Sequence, residues 1–223
     1  ARRQRQMCIR DSVAGGANDA HETTTEAQGI ARVRQGMGCM MRLGSAWYDV
    51  ESQITAITEK GLDPRFFILC TDDSHSGTLV HDGHMNRVVR HAIACGCDPL
   101  VAIQMATINA ASHFGLEREL GSITPGRRAD VVLTSDLAAL PVELVIAQGR
   151  VVAEQGRLLV DCPRIDWPER ARNSVRLGKR LAAEDFRALA SGDSVRARVI
   201  GVVENQAPTR ALEADLPVQG GVI

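Results

Sequence analysis

The stretch that decides the fold reads Arg65-Phe66-Phe67-Ile68-Leu69-Cys70-Thr71-Asp72-Asp73. It is apolar for several residues and then abruptly acidic, which predicts a buried strand that ends in a polar tip. A second short apolar run, Met37 to Ser45, predicts another strand of this kind. Helical patterns cover residues 23–36 and 47–60, on either side of that run. Strands and helices therefore alternate, which predicts βα units, a parallel sheet and an α/β fold.

The stretch after Asp73 predicts one loop and two helices. Residues 74–83 are rich in Gly, Ser and Asp, which favours a surface loop at the end of the strand. A helix is predicted over residues 84–94. Asp98-Pro99 has the N-cap and first-turn chemistry of another helix, which would run to about Phe114.

The pattern then changes to short β runs. Residues 121–126 have the composition of a turn, and residues 129–134 and 142–147 are β-like. Gln148-Gly149 lies between two β runs, as in a hairpin. A small all-β unit is therefore predicted to follow the βα units.

The composition argues against several classes of partner. Of 223 residues, 44% are hydrophobic and the net charge is -1, so neither disorder nor nucleic-acid binding is expected. Aromatic residues make up only 3%, which disfavours base stacking on aromatic platforms. No apolar run reaches the roughly 20 residues that span a bilayer. The six cysteines form no CxxC pair, which favours reduced thiols in a cytoplasmic protein.

Both ends of the chain look unlike natural protein termini. Residues 1–12 are basic but lack the apolar segment of a signal peptide, and they resemble translated adapter sequence, so a non-native leader is predicted there. The last residues, 216–223, stop without a closing element. Truncation on both sides is therefore expected.

Two acidic groups are candidates for metal chemistry. Asp19-Ala20-His21-Glu22 offers an imidazole and two carboxylates, which suit divalent cations, although an ordinary helix N-cap region would read the same way. Asp72 and Asp73 follow the most apolar strand, and parallel α/β folds bind ligands at the carboxyl ends of their strands. An acidic pair there could hold a metal and act as a general base, or could simply cap a turn.

A third candidate group would contact a polar planar ligand. Arg42 and Ser45 follow the middle strand and could hydrogen-bond such a ligand. A solvated arginine and a serine N-cap for the next helix are equally compatible with the pattern. Among the remaining histidines, His84 is the best candidate because it follows closely behind the acidic strand end, whereas most of the others are predicted to lie on the surface.

These motifs, taken in order, resemble the amidohydrolase superfamily and, within it, the adenine deaminase family. The superfamily signal runs from Asp98-Pro99 through Gly115-Leu116 to residues 121–133. The narrower signal consists of His21-Glu22-Thr23-Thr24, Met41-Arg42-Leu43-Gly44-Ser45-Ala46-Trp47, Cys70-Thr71-Asp72-Asp73 and residues 83–90. The resemblance extends from about Val13 to the end of the chain.

The resemblance implies a fold and a domain order. The family has a metal-dependent (β/α)8 TIM barrel joined to a β-sandwich. Residues 13–120 would be the last βα units of that barrel and residues 121–165 a portion of the sandwich. Residues 166–193 would be a helical linker, and residues 194–223 the start of a C-terminal domain, beginning with a strand.

The resemblance also implies a reaction and its residues. By this resemblance, adenine is hydrolysed to hypoxanthine and ammonia with one or two divalent metal ions, Mn²⁺ or Fe²⁺. His21 would be a metal ligand after the sixth barrel strand, and Asp72 a metal ligand and proton shuttle after the eighth. Glu22 would assist catalysis. The purine base would contact four residues: Arg42, Ser45, Asp73 and His84.

One departure from the family pattern affects this interpretation. The family has a His-x-His motif on the first barrel strand, and this sequence contains none. The chain itself is therefore expected to be an incomplete and inactive fragment, and its full-length form a cytoplasmic homo-oligomer without nucleic-acid or membrane partners. Two alternatives remain open: an amidohydrolase acting on another cyclic amide or amino-heterocycle, and a non-catalytic binding protein derived from a barrel.

Overall fold

A computed structural model describes residues 9–204 and 209–223. Its internal contacts divide the chain after Val160 into two compact units. The predicted leader falls mostly outside the described residues, because residues 1–8 are not among them. Its last residues begin helix α1, Ile9–Ala14. The finer domain boundaries expected from the sequence stay a prediction.

The first unit alternates strands and helices before it becomes all β. In chain order, α1 is followed by β1 (Asp19–Ala20), α2 (Glu26–Val33), β2 (Gly38–Arg42), α3 (Val50–Thr58), a 3-10 turn (Pro64–Phe66), β3 (Phe67–Cys70), α4 (Ser76–His81), α5 (Met85–Ala94), α6 (Pro99–Ala106), α7 (Ile108–His113), β4 (Val131–Leu133), β5 (Leu144–Ala147), β6 (Arg150–Glu154) and β7 (Arg157–Leu158).

Strands β1, β2 and β3 form a parallel sheet in that order. Ala20 pairs with Cys39 in the β1–β2 ladder, and Met41 pairs with Leu69 in the β2–β3 ladder. The predicted parallel sheet is therefore confirmed, and the chain is mixed α/β. Parallel pairing brings the carboxyl ends of all three strands to one edge of the sheet.

The core lies between this sheet and the helices that cross over it. Met41 and Phe67 are fully buried on the central strands, and Ile54, Val88 and Met105 meet them from α3, α5 and α6. β2 is buried almost along its length, as expected for a parallel strand covered on both faces. Each helix packs its apolar face against the sheet, and this packing fixes where the strand ends project.

The predicted β unit is also present. Strands β4 to β7 form an antiparallel sheet, and β5 and β6 are joined by the hairpin predicted at Gln148-Gly149. Both turn residues have positive φ, 50° and 77°, as the tight hairpin turn requires. In the second unit, β8 (Ser194–Gly201) pairs antiparallel with β9 (Arg210–Pro217).

The surface loop predicted over residues 74–83 was wrong, because α4 forms within it. His75 occupies the N-cap, and its Nδ1 accepts a hydrogen bond from the Thr78 backbone N–H at 3.3 Å. Thr78 is buried, and its hydroxyl lies 2.9 Å from that of Ser45. Tertiary contacts with the end of β2 therefore stabilise a helix that Gly, Ser and Asp disfavour locally.

The prediction of a single helix from Pro99 to about Phe114 was also wrong, because the structure has two helices there. Asp98 does cap it, accepting from the backbone N–H groups of Leu100 and Val101. The helix breaks at Thr107, and α7 starts afresh. The reason is Asn109, whose buried side-chain amide donates to the carbonyls at the start of β3, Pro64 O at 2.8 Å and Phe67 O at 2.9 Å.

One further helix prediction was too long. The helix predicted over residues 47–60 begins only at Val50, because Tyr48 forms an antiparallel bridge with Leu43. In the second unit, residues 166–193, expected as a helical linker, contain one short helix, α8 (Glu169–Arg172), and one 3-10 turn, Ala183–Phe186. Their side chains are largely exposed, so little packing supports longer helices there.

Neighbouring phenylalanines allow a matched test of the core. Phe67 is fully buried on β3, whereas Phe66 is 46% exposed in the preceding turn. Phe67→Ala should lower the free energy of unfolding by about 3–5 kcal/mol, because it leaves a cavity under the sheet. Phe66→Ala should cost less than about 1 kcal/mol. Urea denaturation of the chain measures both, and equal losses would contradict the placement of β3.

Candidate active site

Polar side chains gather where the three parallel strands end. His21 directly follows β1, Arg42 is the last residue of β2, and Asp72 lies two residues beyond β3. Ligands of parallel α/β folds bind at this edge, because the loops that leave the carboxyl ends of the strands converge there. The topology therefore brings these three candidate residues to one edge of the sheet.

Four of these side chains form one cluster. His21 Nε2 lies 3.4 Å from Glu22 Oε1 and 3.8 Å from Asp72 Oδ1. Arg42 Nη1 lies 3.5 Å from Glu22 Oε2 and 3.7 Å from Asp72 Oδ2. Each carboxylate thus has one oxygen directed to the imidazole and the other directed to the guanidinium.

Arg42 is held rigidly although its neighbours in the cluster are open to solvent. Only 2% of its side chain is exposed, against 47% for His21 and 61% for Glu22. Its Nε donates to Asp49 Oδ2 at 2.6 Å, and Asp49 is fully buried. The guanidinium carbon lies 4.9 Å from the centre of the Trp47 ring, within cation–π range. A solvated arginine, one of the alternatives compatible with the sequence, is therefore excluded.

Asp72 has an unusual backbone conformation. Its φ is 59°, in the left-handed region that aspartate tolerates better than most non-glycine residues. This turn directs the chain away from β3 and leaves the carboxylate beside His21. Burial, followed by the nearby Asp72 carboxylate, raises the pKa of the Cys70 thiol to about 12. Cys70 is therefore a neutral thiol at physiological pH.

Asp73 and Ser45 connect the ends of β2 and β3. Asp73 Oδ2 accepts from the Ala46 backbone N–H at 2.7 Å, and Asp73 O accepts from Ser45 N at 2.6 Å. The Ser45 hydroxyl accepts in turn from His75 N at 3.0 Å. Asp73 therefore behaves as a turn aspartate, as one interpretation of the sequence allowed. Ser45 does not cap α3, whose N-cap position is Asp49.

His84 is not joined to the cluster. It is exposed at the N-cap position of α5, and its backbone N–H donates to Asn86 Oδ1. No hydrogen bond or ion pair connects its side chain to another described residue of the site. Its neighbour Arg87 has a clearer role, since Nη1 donates to Leu43 O and Gly44 O at 3.0 Å each.

Helix α3 fixes the loop that carries His21 and Glu22. Gln53 is fully buried, and its Nε2 donates to Thr23 O at 2.6 Å while its Oε1 accepts from the Thr23 hydroxyl at 2.9 Å. Ser52 donates to Thr24 O at 2.9 Å. Sequence reasoning missed Asp49 and Gln53. Both lie inside a helical pattern, where nothing local distinguishes them from surface polar residues.

The cluster fits two ligands of a divalent ion. Two donors that bind one ion at about 2.0–2.2 Å each must lie within about 4.4 Å of one another. His21 Nε2 and Asp72 Oδ1 meet that limit at 3.8 Å. No three His, Cys, Asp or Glu side chains of residues 9–204 and 209–223 form a metal-holding group by themselves.

Comparison with known proteins identifies the family. The model of the amidohydrolase family matches residues 17–152, more than half of the chain. The chain belongs to the amidohydrolase family. The match includes all three parallel strands and the antiparallel strands as far as β6, so the candidate site lies within the shared region. This family is generally dependent on divalent metal ions.

Several amidohydrolases are close relatives. An adenine deaminase of Paracoccus denitrificans is 84% identical over 211 residues, which cover 95% of this chain and 35% of that protein. An adenine deaminase of Ruegeria pomeroyi is 72% identical over 213 residues, again 95% of this chain and 35% of that protein. The chain therefore spans about a third of the length of the curated relatives it matches.

A solved structure supports the fold. A structure of molinate hydrolase covers 78% of this chain and 44% of its own, with a TM-score of 0.50 and 16% sequence identity. At this identity the similarity concerns the fold alone.

Within the described ranges, none of the helices has the length and hydropathy needed to cross a membrane.

Gly44 provides a test of the site geometry. A Cβ at this position would lie 1.8 Å from Asp73 Oδ1 and 2.5 Å from Asp73 O. Gly44→Ala should therefore force the two strand ends apart and lower the free energy of unfolding by about 1–3 kcal/mol. Gly178→Ala is the control, because no heavy atom lies within 4 Å of its Cβ position. Urea denaturation of both variants measures the difference, and equal stability would contradict the close approach of Gly44 and Asp73.

Proposed function

We propose that this chain is part of an adenine deaminase, which hydrolyses adenine to hypoxanthine and ammonia with one or two divalent metal ions, Mn²⁺ or Fe²⁺. The observation that carries the proposal is the convergence of His21, Glu22, Arg42 and Asp72 at the carboxyl ends of adjacent parallel strands. The 84% identity to the Paracoccus denitrificans enzyme supports adenine as the substrate.

His21 and Asp72 are the proposed metal ligands. Their donor atoms lie 3.8 Å apart, a separation that suits two ligands of one ion. A bound divalent ion would supply Lewis-acid activation of water near neutral pH. The remaining ligands would come from the earlier strands of a (β/α)8 barrel, of which β1 to β3 would be the last.

Asp72 is the proposed proton shuttle. Water adds to C6 of the purine, Asp72 accepts its proton, and the same proton passes to the amino group as the C–N bond breaks and ammonia leaves. Glu22 is proposed to assist catalysis, because its Oε1 also faces the imidazole of His21. The partly open position of Asp72, with 29% of its side chain exposed, leaves room for a substrate to approach.

Arg42, Ser45, Asp73 and His84 remain the proposed contacts of the purine base. Arg42 Nη2 is buried and has no hydrogen-bond partner among the described residues, so one donor of this guanidinium is unused. Ser45 and Asp73 would act mainly by holding the loop that faces the base, given their hydrogen bonds to the backbone. His84 is the weakest of the four, because it lies outside the cluster.

The first test compares this chain with a completed protein. In the chimaera, this sequence replaces its aligned segment in the Paracoccus denitrificans adenine deaminase. Release of ammonia from adenine is measured with Mn²⁺ or Fe²⁺ supplied. We expect activity in the chimaera and none in the chain alone. Activity in neither would favour a different amino-heterocycle or cyclic amide, which a substrate panel on the chimaera would reveal.

The proposed cytoplasmic location and homo-oligomeric state of the full-length protein are tested separately by fractionation and light scattering.

The role of Asp72 gives a second test in the chimaera. Asp72→Asn keeps the shape of the side chain but removes its basicity, so kcat for adenine should fall by about 100- to 10,000-fold with the fold intact. Asp82→Asn is the matched control, because Asp82 is exposed at the end of α4. Circular dichroism checks the fold of both variants. Near-normal turnover by Asp72→Asn would overturn its assignment as the proton shuttle.

A further inference from the structure

Two carboxylates of the site depend on one guanidinium for their orientation. Glu22 and Asp72 each direct one oxygen to Arg42 Nη1, at 3.5 and 3.7 Å, and the other to His21 Nε2, at 3.4 and 3.8 Å. The position of Arg42 Nη1 therefore helps to fix the orientation of each carboxylate plane relative to the imidazole.

The position of Arg42 depends in turn on Asp49. The hydrogen bond from Arg42 Nε to Asp49 Oδ2, at 2.6 Å, is the shortest contact of the guanidinium, and both side chains are buried. Trp47 covers one face of the guanidinium. Asp49 occupies the N-cap position of α3, but its side chain does not cap that helix. Its carboxylate instead accepts the hydrogen bond from Arg42 Nε.

We propose that Asp49 is a positioning residue for the reaction, which acts through Arg42 to orient the carboxylates of Asp72 and Glu22. The proposal rests on the proposed function of this site. A buried charge without its partner is strongly unfavourable, so Arg42 keeps one arrangement only while the Asp49 carboxylate lies beside it. Preorganised carboxylates matter for rate, because a misplacement of about 1 Å can cost about 100-fold in turnover.

A purely structural role for Asp49 gives a different expectation. If Asp49 served only to stabilise α3 and the sheet, its loss would lower the melting temperature and the yield of folded protein. Turnover for each folded molecule and affinity for metal would then be unchanged. The two roles are therefore separated by measuring kcat, KM and Mn²⁺ affinity on the folded fraction.

The principal variant is Asp49→Asn in the chimaera. At saturating adenine and Mn²⁺, kcat should fall by about 10- to 100-fold, because the carboxylates lose their fixed orientation. The dissociation constant for Mn²⁺, measured by calorimetry without substrate, should rise by about 10-fold, since Asp72 is one of its proposed ligands. The proposal is overturned if kcat or the Mn²⁺ dissociation constant stays within about twofold of that of the unmodified chimaera.

A double variant tests whether Asp49 acts through Arg42. Arg42→Gln with Asp49→Asn removes both charges together and leaves no unpaired buried ion, so it should fold even where a single variant does not. Its kcat should equal that of Arg42→Gln alone if both residues act as one unit. Multiplied losses would overturn the pathway through Arg42. If only the double variant folds, near-normal kcat in it would overturn the proposal.

Asn109→Ala is the matched control for a buried polar side chain. The side chain of Asn109 donates hydrogen bonds to the backbone at the start of β3, at the opposite end of that strand from Asp72. This variant should lower the melting temperature but leave kcat and Mn²⁺ affinity unchanged. An unmodified chimaera that does not deaminate adenine would refute the proposed function. The Mn²⁺ affinities would then still decide the role of Asp49, because they do not depend on turnover.

Discussion

The buried pair of Arg42 and Asp49 is the constraint on which the rest of the site depends. A guanidinium at the end of a strand covered on both faces must have a counter-charge, and Asp49 Oδ2 provides it at 2.6 Å. Because Asp49 immediately precedes α3, the pair joins the end of β2 to the start of that helix. The pair compensates a buried charge and also shapes the fold, because it joins two residues only seven apart at the point where the chain turns back over the sheet.

The first turn of α3 organises both sides of the cluster. Asp49 holds Arg42 on one side, while Ser52 and Gln53 hold the backbone of Thr23 and Thr24 on the other. These bonds lie in a buried region, where polar groups that lose their partners are costly. The loop after β1 therefore has little freedom although His21 itself is half exposed. A solvent-facing site is kept rigid by partners that lie beneath it.

The loop after β3 is constrained by close approach rather than by charge. Gly44 and Asp73 are packed so tightly that a methyl group at position 44 would overlap the carboxylate. Arg87 adds two hydrogen bonds to the carbonyls of Leu43 and Gly44 from α5. The ends of β2 and β3 are thereby locked together, and Asp72 is presented from a turn with positive φ. Rigid support and an accessible carboxylate are the combination that proton transfer requires.

The sequence by itself determined the alternation of strands and helices, the parallel sheet, the hairpin at Gln148-Gly149 and the polar residues at the strand ends. Those features follow from local periodicity, from turn chemistry and from the polar residues that follow each apolar run. Only the tertiary structure decided that Asp49 pairs with Arg42, that α4 forms, and that the helix after Pro99 breaks at Thr107. Each of these depends on partners distant in sequence or on burial, as with Asn109 and the carbonyl of Phe67, and no local pattern encodes such contacts.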